Sequence, residues 1–166
     1  MTNNKQQTEM NKEFIPYELA LELKQLGFDE PCLGYYLASS LFISNDNVYN
    51  STDIPVIKAP LYSQAFRFFR EKYDLHVQIR KENYFQERKY EYYHFDISKG
   101  EENDITKQED LLYKILDECS QDIPGNHLND EMYFKLIFEK EFAFKTYEEV
   151  EFACLRHLIK TVKNEN

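Results

Sequence analysis

The sequence predicts an α+β fold: a small, mostly antiparallel sheet, three helices packed on one of its faces, and an extra short helix in an acidic insertion. Four stretches repeat apolar residues at helical spacing, and two neighbouring stretches have the alternation or β-favouring composition of half-buried strands. A chain of 166 residues suits one domain better than two. We therefore expect a disordered tail over residues 1–12 and a single domain over residues 13–163, with the acidic insertion at 98–131.

The first helix is predicted over Pro16–Leu26, because proline favours the first helical position and Gly27 supplies a left-handed stop. The aromatic and β-favouring stretch Cys32–Ile43 is predicted to be a strand. A short edge strand is expected over Ile54–Ile57, where Pro55 is tolerated only at the edge of a sheet.

The middle of the chain predicts a helix followed by a hairpin. The second helix, over Tyr62–Tyr73, has one apolar stripe. Its members are Tyr62, Ala65, Phe66, Phe69 and Tyr73. Leu75–Arg80 alternates apolar and polar residues as a half-buried strand does, and Lys89–Ile97 is its expected antiparallel partner. The polar residues 81–88 connect the two strands.

Three further elements complete the predicted fold. Glu109–Ser120 has the spacing of a short amphipathic helix, and Met132–Phe138 is predicted to be a strand. The last helix, about Thr146–Lys163, begins with a capping box in which Thr146 and Glu149 satisfy exposed backbone donors reciprocally. We expect the helices to bury a common set of large side chains, among them Leu23, Phe66, Phe69 and Leu158.

Aromatic residues are abundant, with 13 Phe, 13 Tyr and no Trp making up 16% of the chain. The core of a domain this size cannot enclose every ring, so some rings are expected at a surface groove or contact patch. Tyrosine suits such places because its ring is apolar and its hydroxyl tolerates water. The composition therefore favours a binding protein.

Charge is distributed unevenly along a chain whose net charge is −10. The negative total argues against general binding to a phosphate backbone. Nevertheless, basic residues interleaved with tyrosines over residues 64–93 make nucleic-acid binding an alternative, against the simpler interpretation of a solvated hairpin with local ion pairs. That basic face comprises Arg67, Arg70, Arg80, Lys81, Arg88 and Lys89. The candidate binding residues are Tyr62, Arg67, Arg70, Arg80, Lys81, Arg88, Tyr90 and Tyr92.

The sequence contains no metal, cofactor or nucleophile motif, and we predict no cofactor and no metal site. His76 and His94 are expected on neighbouring strands, a few residues out of register, where a shared site is the alternative to two unrelated side chains. Cys154 and His157 are three residues apart on one helix, but Cys154 lies on the buried stripe, so a structural role is expected. A small enzyme whose residues converge only in space is the remaining alternative.

Cysteine usage and hydropathy bear on the compartment. Cys32, Cys119 and Cys154 are widely separated and odd in number, which predicts reduced, buried thiols and a cytoplasmic protein. No apolar run approaches the length of a membrane span, and the polar N-terminus lacks the apolar core of a signal peptide. We therefore expect no membrane association.

Three stretches of the chain resemble a family of small proteins encoded by Bacteroidetes phages and prophages. These are residues 13–36 (EFIPYELALELKQLGFDEPCLGYY), 59–73 (APLYSQAFRFFREKY) and 144–163 (FKTYEEVEFACLRHLIKTVK). Members of that family carry Trp where Phe68 stands, and their region corresponding to 101–130 is shorter. The resemblance implies a phage or prophage origin and no particular activity.

Together these observations predict a non-enzymatic phage or prophage accessory protein that binds a host or phage protein through an aromatic-rich surface. Its expected location is the cytoplasm of the host cell. The acidic stretch 96–131 is expected to be a solubilising lobe, and the alternative is a carboxylate face that imitates the phosphates of DNA. The sequence leaves the partner and the oligomeric state open.

Overall fold

The computed structural model describes residues 10–43, 56–84, 90–100, 102–104 and 143–165. Within these ranges three helices accompany two small antiparallel sheets, which confirms the predicted α+β class. The chain divides into two compact units. The first unit is Met1–Tyr73 with Leu155–Asn166, and the second unit is Asp74–Cys154.

The first helix, α1, spans Tyr17–Gln25 and lies within the predicted range. Pro16 precedes it as the cap residue, and Gly27 follows it with a φ of +87°. The Gly27 N–H donates to the carbonyl of Lys24 at 3.0 Å and the Phe28 N–H to that of Leu23 at 2.9 Å. This pair of bonds is a Schellman motif, so the predicted glycine stop is confirmed.

The first sheet has the strand order β2-β1-β3, with β1 at Gly34–Leu37, β2 at Ser40–Ile43 and β3 at Ile57–Ala59. The prediction of one strand over Cys32–Ile43 is therefore wrong. Ala38 and Ser39 form a two-residue turn between β1 and β2, with φ of +48° and +67°. Two positive φ values match the twist of a hairpin, but Ala and Ser lack the glycine or asparagine that signals such a turn.

Strand β3 begins at the last residue of the predicted edge strand Ile54–Ile57 and continues to Ala59. Residues 54 and 55 lie outside the described ranges. Pairing of β3 with β1 is antiparallel, with Tyr35 opposite Lys58 and Tyr36 opposite Ile57. The central strand β1 is thereby paired on both of its edges.

Helix α2 spans Tyr62–Tyr73, as predicted. Its buried residues are Tyr62, Ala65, Phe68 and Phe69. Phe68 thus occupies the core position that the sequence analysis assigned to Phe66, which is only half-buried. The Phe68 ring meets Phe28 edge-on at 5.3 Å and Phe69 at 5.5 Å, so the core of this unit is a ring cluster around the end of α1.

The second sheet has the order β4-β5-β6, with β4 at Leu75–Tyr84, β5 at Tyr90–Lys99 and β6 at Glu102–Asp104. The predicted antiparallel hairpin is confirmed, and both of its strands differ in length from the prediction. The strands do not join one sheet with β1, as the sequence analysis expected, but form a sheet of their own. Its buried residues include Leu75, Phe95 and Ile97.

The third helix, α3, spans Tyr147–Glu165. The Glu149 N–H donates to the Thr146 hydroxyl at 3.2 Å, and the Thr146 N–H donates to the Glu149 carboxylate at 3.3 Å. The predicted capping box is therefore confirmed. The predicted core residues Leu23, Phe69 and Leu158 are each fully buried in the first unit.

Several predicted elements lie outside the described residues: the tail up to residue 9, the helix Glu109–Ser120, the strand Met132–Phe138 and nearly all of the insertion 98–131. Among the residues that the structure does describe, no helix is long and apolar enough to cross a membrane.

Candidate functional site

An exposed apolar patch covers one face of the first sheet. Strand pairing places Tyr35 opposite Phe42 on one side and opposite Lys58 on the other, so these three side chains share a face. Leu33 lies two residues before Tyr35. We call Leu33, Tyr35, Phe42 and Lys58 the ring face.

The apolar members of the ring face are open to solvent. Leu33 is 55% exposed and Phe42 is 43% exposed. The Tyr35 ring stacks on the Phe42 ring, with centroids 5.6 Å apart and planes 15° from parallel. A stacked pair of this kind holds both rings in one orientation before any partner arrives, which lowers the entropy lost on binding.

The opposite face of the same sheet anchors the ring face. Tyr36 is buried, and its hydroxyl donates a 2.5 Å hydrogen bond to the backbone carbonyl of Ile15. Burial, and then the carboxylate of Glu18, raises the pKa of the Tyr36 phenol, so the hydroxyl stays a donor. A Cβ on Gly34 would come within 2.8 Å of the Phe14 ring, which explains the glycine there.

Charge at the rim of the ring face is locally neutralised. The Lys58 ammonium donates to the carboxylate of Asp29 at 2.6 Å and to its backbone carbonyl at 2.7 Å. The hydrogen bond from Lys58 lowers the pKa of the Asp29 carboxyl. Because the ammonium is held by Asp29, the face presents mainly ring and aliphatic surface.

Three of the basic residues that the sequence analysis selected, Arg67, Arg80 and Lys81, have acidic partners. Arg67 pairs with Glu30, whose hydrogen bond raises the pKa of the guanidinium. Arg80 pairs with Asp96 at 2.5 Å, and Lys81 pairs with Glu91 at 2.7 Å. Arg70 is exposed on α2, and Arg88 and Lys89 lie outside the described residues.

The predicted candidate residues are divided between the two units. Tyr62, Arg67 and Arg70 belong to the first unit, and Arg80, Lys81, Tyr90 and Tyr92 belong to the second. Tyr62 is buried in the core beside Phe66 rather than exposed for binding. Tyr92 is half-buried, with its ring 6.2 Å from that of His94, and only the backbone of Tyr90 is described.

Sequence reasoning missed Leu33, Tyr35 and Phe42 because they fell inside one predicted strand with no chemical motif. A signal was present, since residues 31–43 contain no charged side chain. An aromatic segment without charged side chains is a candidate for an exposed edge.

The two candidate histidines lie on one face of the second sheet. Strand pairing puts His76 opposite Ser98 and Arg80 opposite His94, so the imidazoles are four positions, or roughly 13 Å, apart. That separation is too large for one shared metal ion. Each imidazole has its own acidic neighbour. The Nε2 atom of His76 lies 3.1 Å from Oδ1 of Asp74, and Nε2 of His94 lies 3.7 Å from Oε1 of Glu82.

The two described cysteines are held as thiols. Burial raises the pKa of Cys32 to about 11, and burial also raises the pKa of the fully enclosed Cys154. Neither side chain is a thiolate at neutral pH, which a nucleophile requires. Within the described ranges no three His, Cys, Asp or Glu side chains are grouped to hold a metal ion.

Comparison with known proteins gives no match: no family model, no curated protein and no solved structure resembles the chain significantly.

Proposed function

We propose that the protein is a non-enzymatic phage or prophage accessory protein that binds a host or phage protein through the ring face. The observation that supports this proposal is the exposure of Leu33 and Phe42 beside a stacked Tyr35. Apolar and aromatic side chains clustered in this way are typical of protein contact surfaces. The phage assignment depends on the sequence resemblance alone.

Burying the ring face against a partner is more favourable in free energy than leaving it exposed to water. A large apolar side chain gains roughly 1.5–3 kcal/mol on full burial, and Leu33 and Phe42 realise only part of that gain in the isolated chain. Removing the remaining exposed area from water favours association. The flat ring pair suits an apolar or aromatic partner surface, because offset stacking adds to the area term.

A second ring cluster, in the second unit, is a weaker candidate. Tyr147 is 47% exposed and meets the Tyr93 ring edge-on at 5.9 Å, while the Lys81 ammonium lies 5.9 Å from the centre of the Tyr93 ring. An ammonium over the ring satisfies its negative face. We favour the ring face of the first unit, because two of its large apolar side chains, Leu33 and Phe42, are exposed together.

Nucleic-acid binding is disfavoured by the ion pairs at Arg67, Arg80 and Lys81, because each must be broken before its cation meets a phosphate. A titration of single-stranded and duplex DNA at about 20–200 mM salt tests this. We expect no binding at low salt. Salt-sensitive binding lost on Arg80→Ala would instead support the basic face.

The main test uses the immobilised full chain in a host lysate, with mass spectrometry of what it retains. The informative comparison is between Leu33→Lys, which puts a charge on the ring face, and Phe152→Lys, which changes a 37% exposed ring on α3. We expect the captured protein to be lost with Leu33→Lys and kept with Phe152→Lys.

Affinity measurements with the purified captured protein make the comparison quantitative. A residue at the centre of a contact raises Kd by about tenfold or more when changed, while a residue outside it changes Kd by less than about twofold. Equal affinity of the two variants would contradict the proposal.

A further inference from the structure

The outer edge of β2 carries backbone groups without a strand partner among the residues that the structure describes. In a hairpin with a two-residue loop, the residues that flank the loop, here Leu37 and Ser40, form a hydrogen-bonded pair. Hydrogen-bonded and non-hydrogen-bonded pairs then alternate along the antiparallel ladder. Ser40 and Phe42 therefore bond to β1. The N–H and C=O groups of Leu41 and Ile43 point away from it.

This edge lacks the charged side chains that protect many edge strands. Charged side chains keep most exposed edges from pairing with another chain. The edge strand of the second sheet, β4, follows that rule with Arg80, Lys81 and Glu82. In contrast, β2 consists of Ser40, Leu41, Phe42 and Ile43, of which all but Leu41 are exposed.

The neutral charge balance of the first unit permits a second copy of the chain at this edge. The first unit, which contains β2, has ten acidic and ten basic residues, so the whole net charge of −10 belongs to the second unit. Two first units therefore meet without net repulsion, and a neutral edge selects neither a basic nor an acidic partner. The strand that matches an uncharged, apolar edge best is another copy of itself.

We propose that the protein forms a two-fold dimer in which β2 pairs antiparallel with β2 of a second copy. The register that uses every outward backbone group places Leu41 opposite Ile43 of the second copy, and Ile43 opposite its Leu41. Phe42 then lies opposite Phe42 of the second copy at the two-fold axis. Side chains approach most closely at such a non-hydrogen-bonded pair.

The dimer enlarges the ring face. Because Tyr35 stacks on Phe42 in each copy, pairing at the axis forms a row of four rings across a six-stranded sheet. The claim that this row is the binding surface rests on the proposed function, whereas the strand pairing does not. An interface between four-residue strands falls below about 1,200 Å², so the dimer exchanges with monomer.

Sedimentation equilibrium of the full chain tests the pairing over a protein concentration of about 10–500 μM. We expect a monomer–dimer equilibrium in this range. Ile43→Pro removes one outward N–H without touching a bond to β1, and proline is tolerated at such a position. It should be monomeric throughout, with an unchanged circular dichroism spectrum. The control Leu33→Lys, on the ring face but away from the edge, should dimerise as the wild type does.

Thiol cross-linking tests the register without relying on proline. Phe42→Cys puts two thiols opposite each other at the axis, within reach of a disulfide. Ser40→Cys puts them four positions apart, or roughly 13 Å, which is beyond the limit of about 7 Å between Cα atoms. Mild oxidation should give covalent dimer for Phe42→Cys only, above the background from the native cysteines.

The outcomes separate the dimer from the proposed function. A wild type that stays monomeric, an Ile43→Pro variant that still dimerises, or equal cross-linking of the two thiol variants would overturn the dimer. If capture is nevertheless lost with Leu33→Lys, the proposed function stands alone. If the dimer is confirmed but Leu33→Lys captures the partner as well as the wild type does, the proposed function is overturned and the dimer stands.

Discussion

The hydroxyl of Tyr36 donates a 2.5 Å hydrogen bond to the backbone carbonyl of Ile15, 21 residues earlier in the chain. Both residues are buried, and the Tyr36 ring also meets the Tyr17 ring edge-on at 5.5 Å. The bond therefore ties the central strand β1 to the segment that leads into α1. It fixes the sheet whose other surface is the ring face.

Tyr36→Phe removes this hydroxyl and leaves the ring in place. We expect a loss of about 1–3 kcal/mol in the free energy of unfolding, because the buried Ile15 carbonyl loses its donor. Urea denaturation of the variant and wild type measures the difference. A matched control is Tyr17→Phe on α1, which keeps the ring contact with Tyr36 and should change stability by less than about 0.5 kcal/mol.

Phe69→Ala and Phe66→Ala test which stripe of α2 faces the core. Phe69 is fully buried, so its truncation should cost about 3–5 kcal/mol, whereas half-buried Phe66 should cost clearly less. The urea midpoints of the two variants report the order. Equal losses of stability in the two variants would indicate that Phe66 lies in the core, as the sequence pattern predicted.

Thr146→Ala tests the capping box of α3. The change removes the acceptor for the Glu149 N–H, and we expect a loss of about 1 kcal/mol. Thr146→Ser keeps a hydroxyl at the cap and should retain most of the stability. Thermal unfolding followed by circular dichroism distinguishes the two, and an unchanged midpoint in Thr146→Ala would contradict the role of the cap.

His157 predicts a direction for the pH dependence of stability. Burial, and then Lys160, lowers the pKa of its imidazole below the usual 6.5. The unfolded chain therefore binds the proton more tightly, so the contribution of His157 is complete above about pH 6.5 and is lost as the pH falls through the folded-state pKa. Urea midpoints of wild type should decline over that window, and those of His157→Gln should decline less. A parallel decline would assign the effect to other groups.

Sequence patterns identified the elements whose signal is local. The α2 bounds, the capping box and the glycine after α1 each depend on residues within a few positions of one another. The division of Cys32–Ile43 into two strands was not predicted, because Ala38 and Ser39 adopt positive φ although neither is a typical turn residue. The formation of two sheets instead of one was also not predicted, because pairing between strands that are distant in the chain leaves no periodic signal in the sequence.

Composition predicted exposed rings but not their positions. Phe42 is such a ring, and Leu33 is exposed on the same face of the first sheet. Their position depends on which side of β1 faces the core, and the burial of Tyr36 decides that. Linear charge counts did not show that Arg67 and Arg80 have acidic partners, because Glu30 and Asp96 are distant from them in the chain.

The turn at Ala38 and Ser39 has a practical consequence for anyone engineering this protein. Left-handed backbone costs an ordinary side chain roughly 1–2 kcal/mol, and the turn contains two such residues in succession. Replacing them with Asn and Gly relieves that strain without changing a side chain of the ring face. Two substitutions in this turn should therefore stabilise the sheet that presents the aromatic surface.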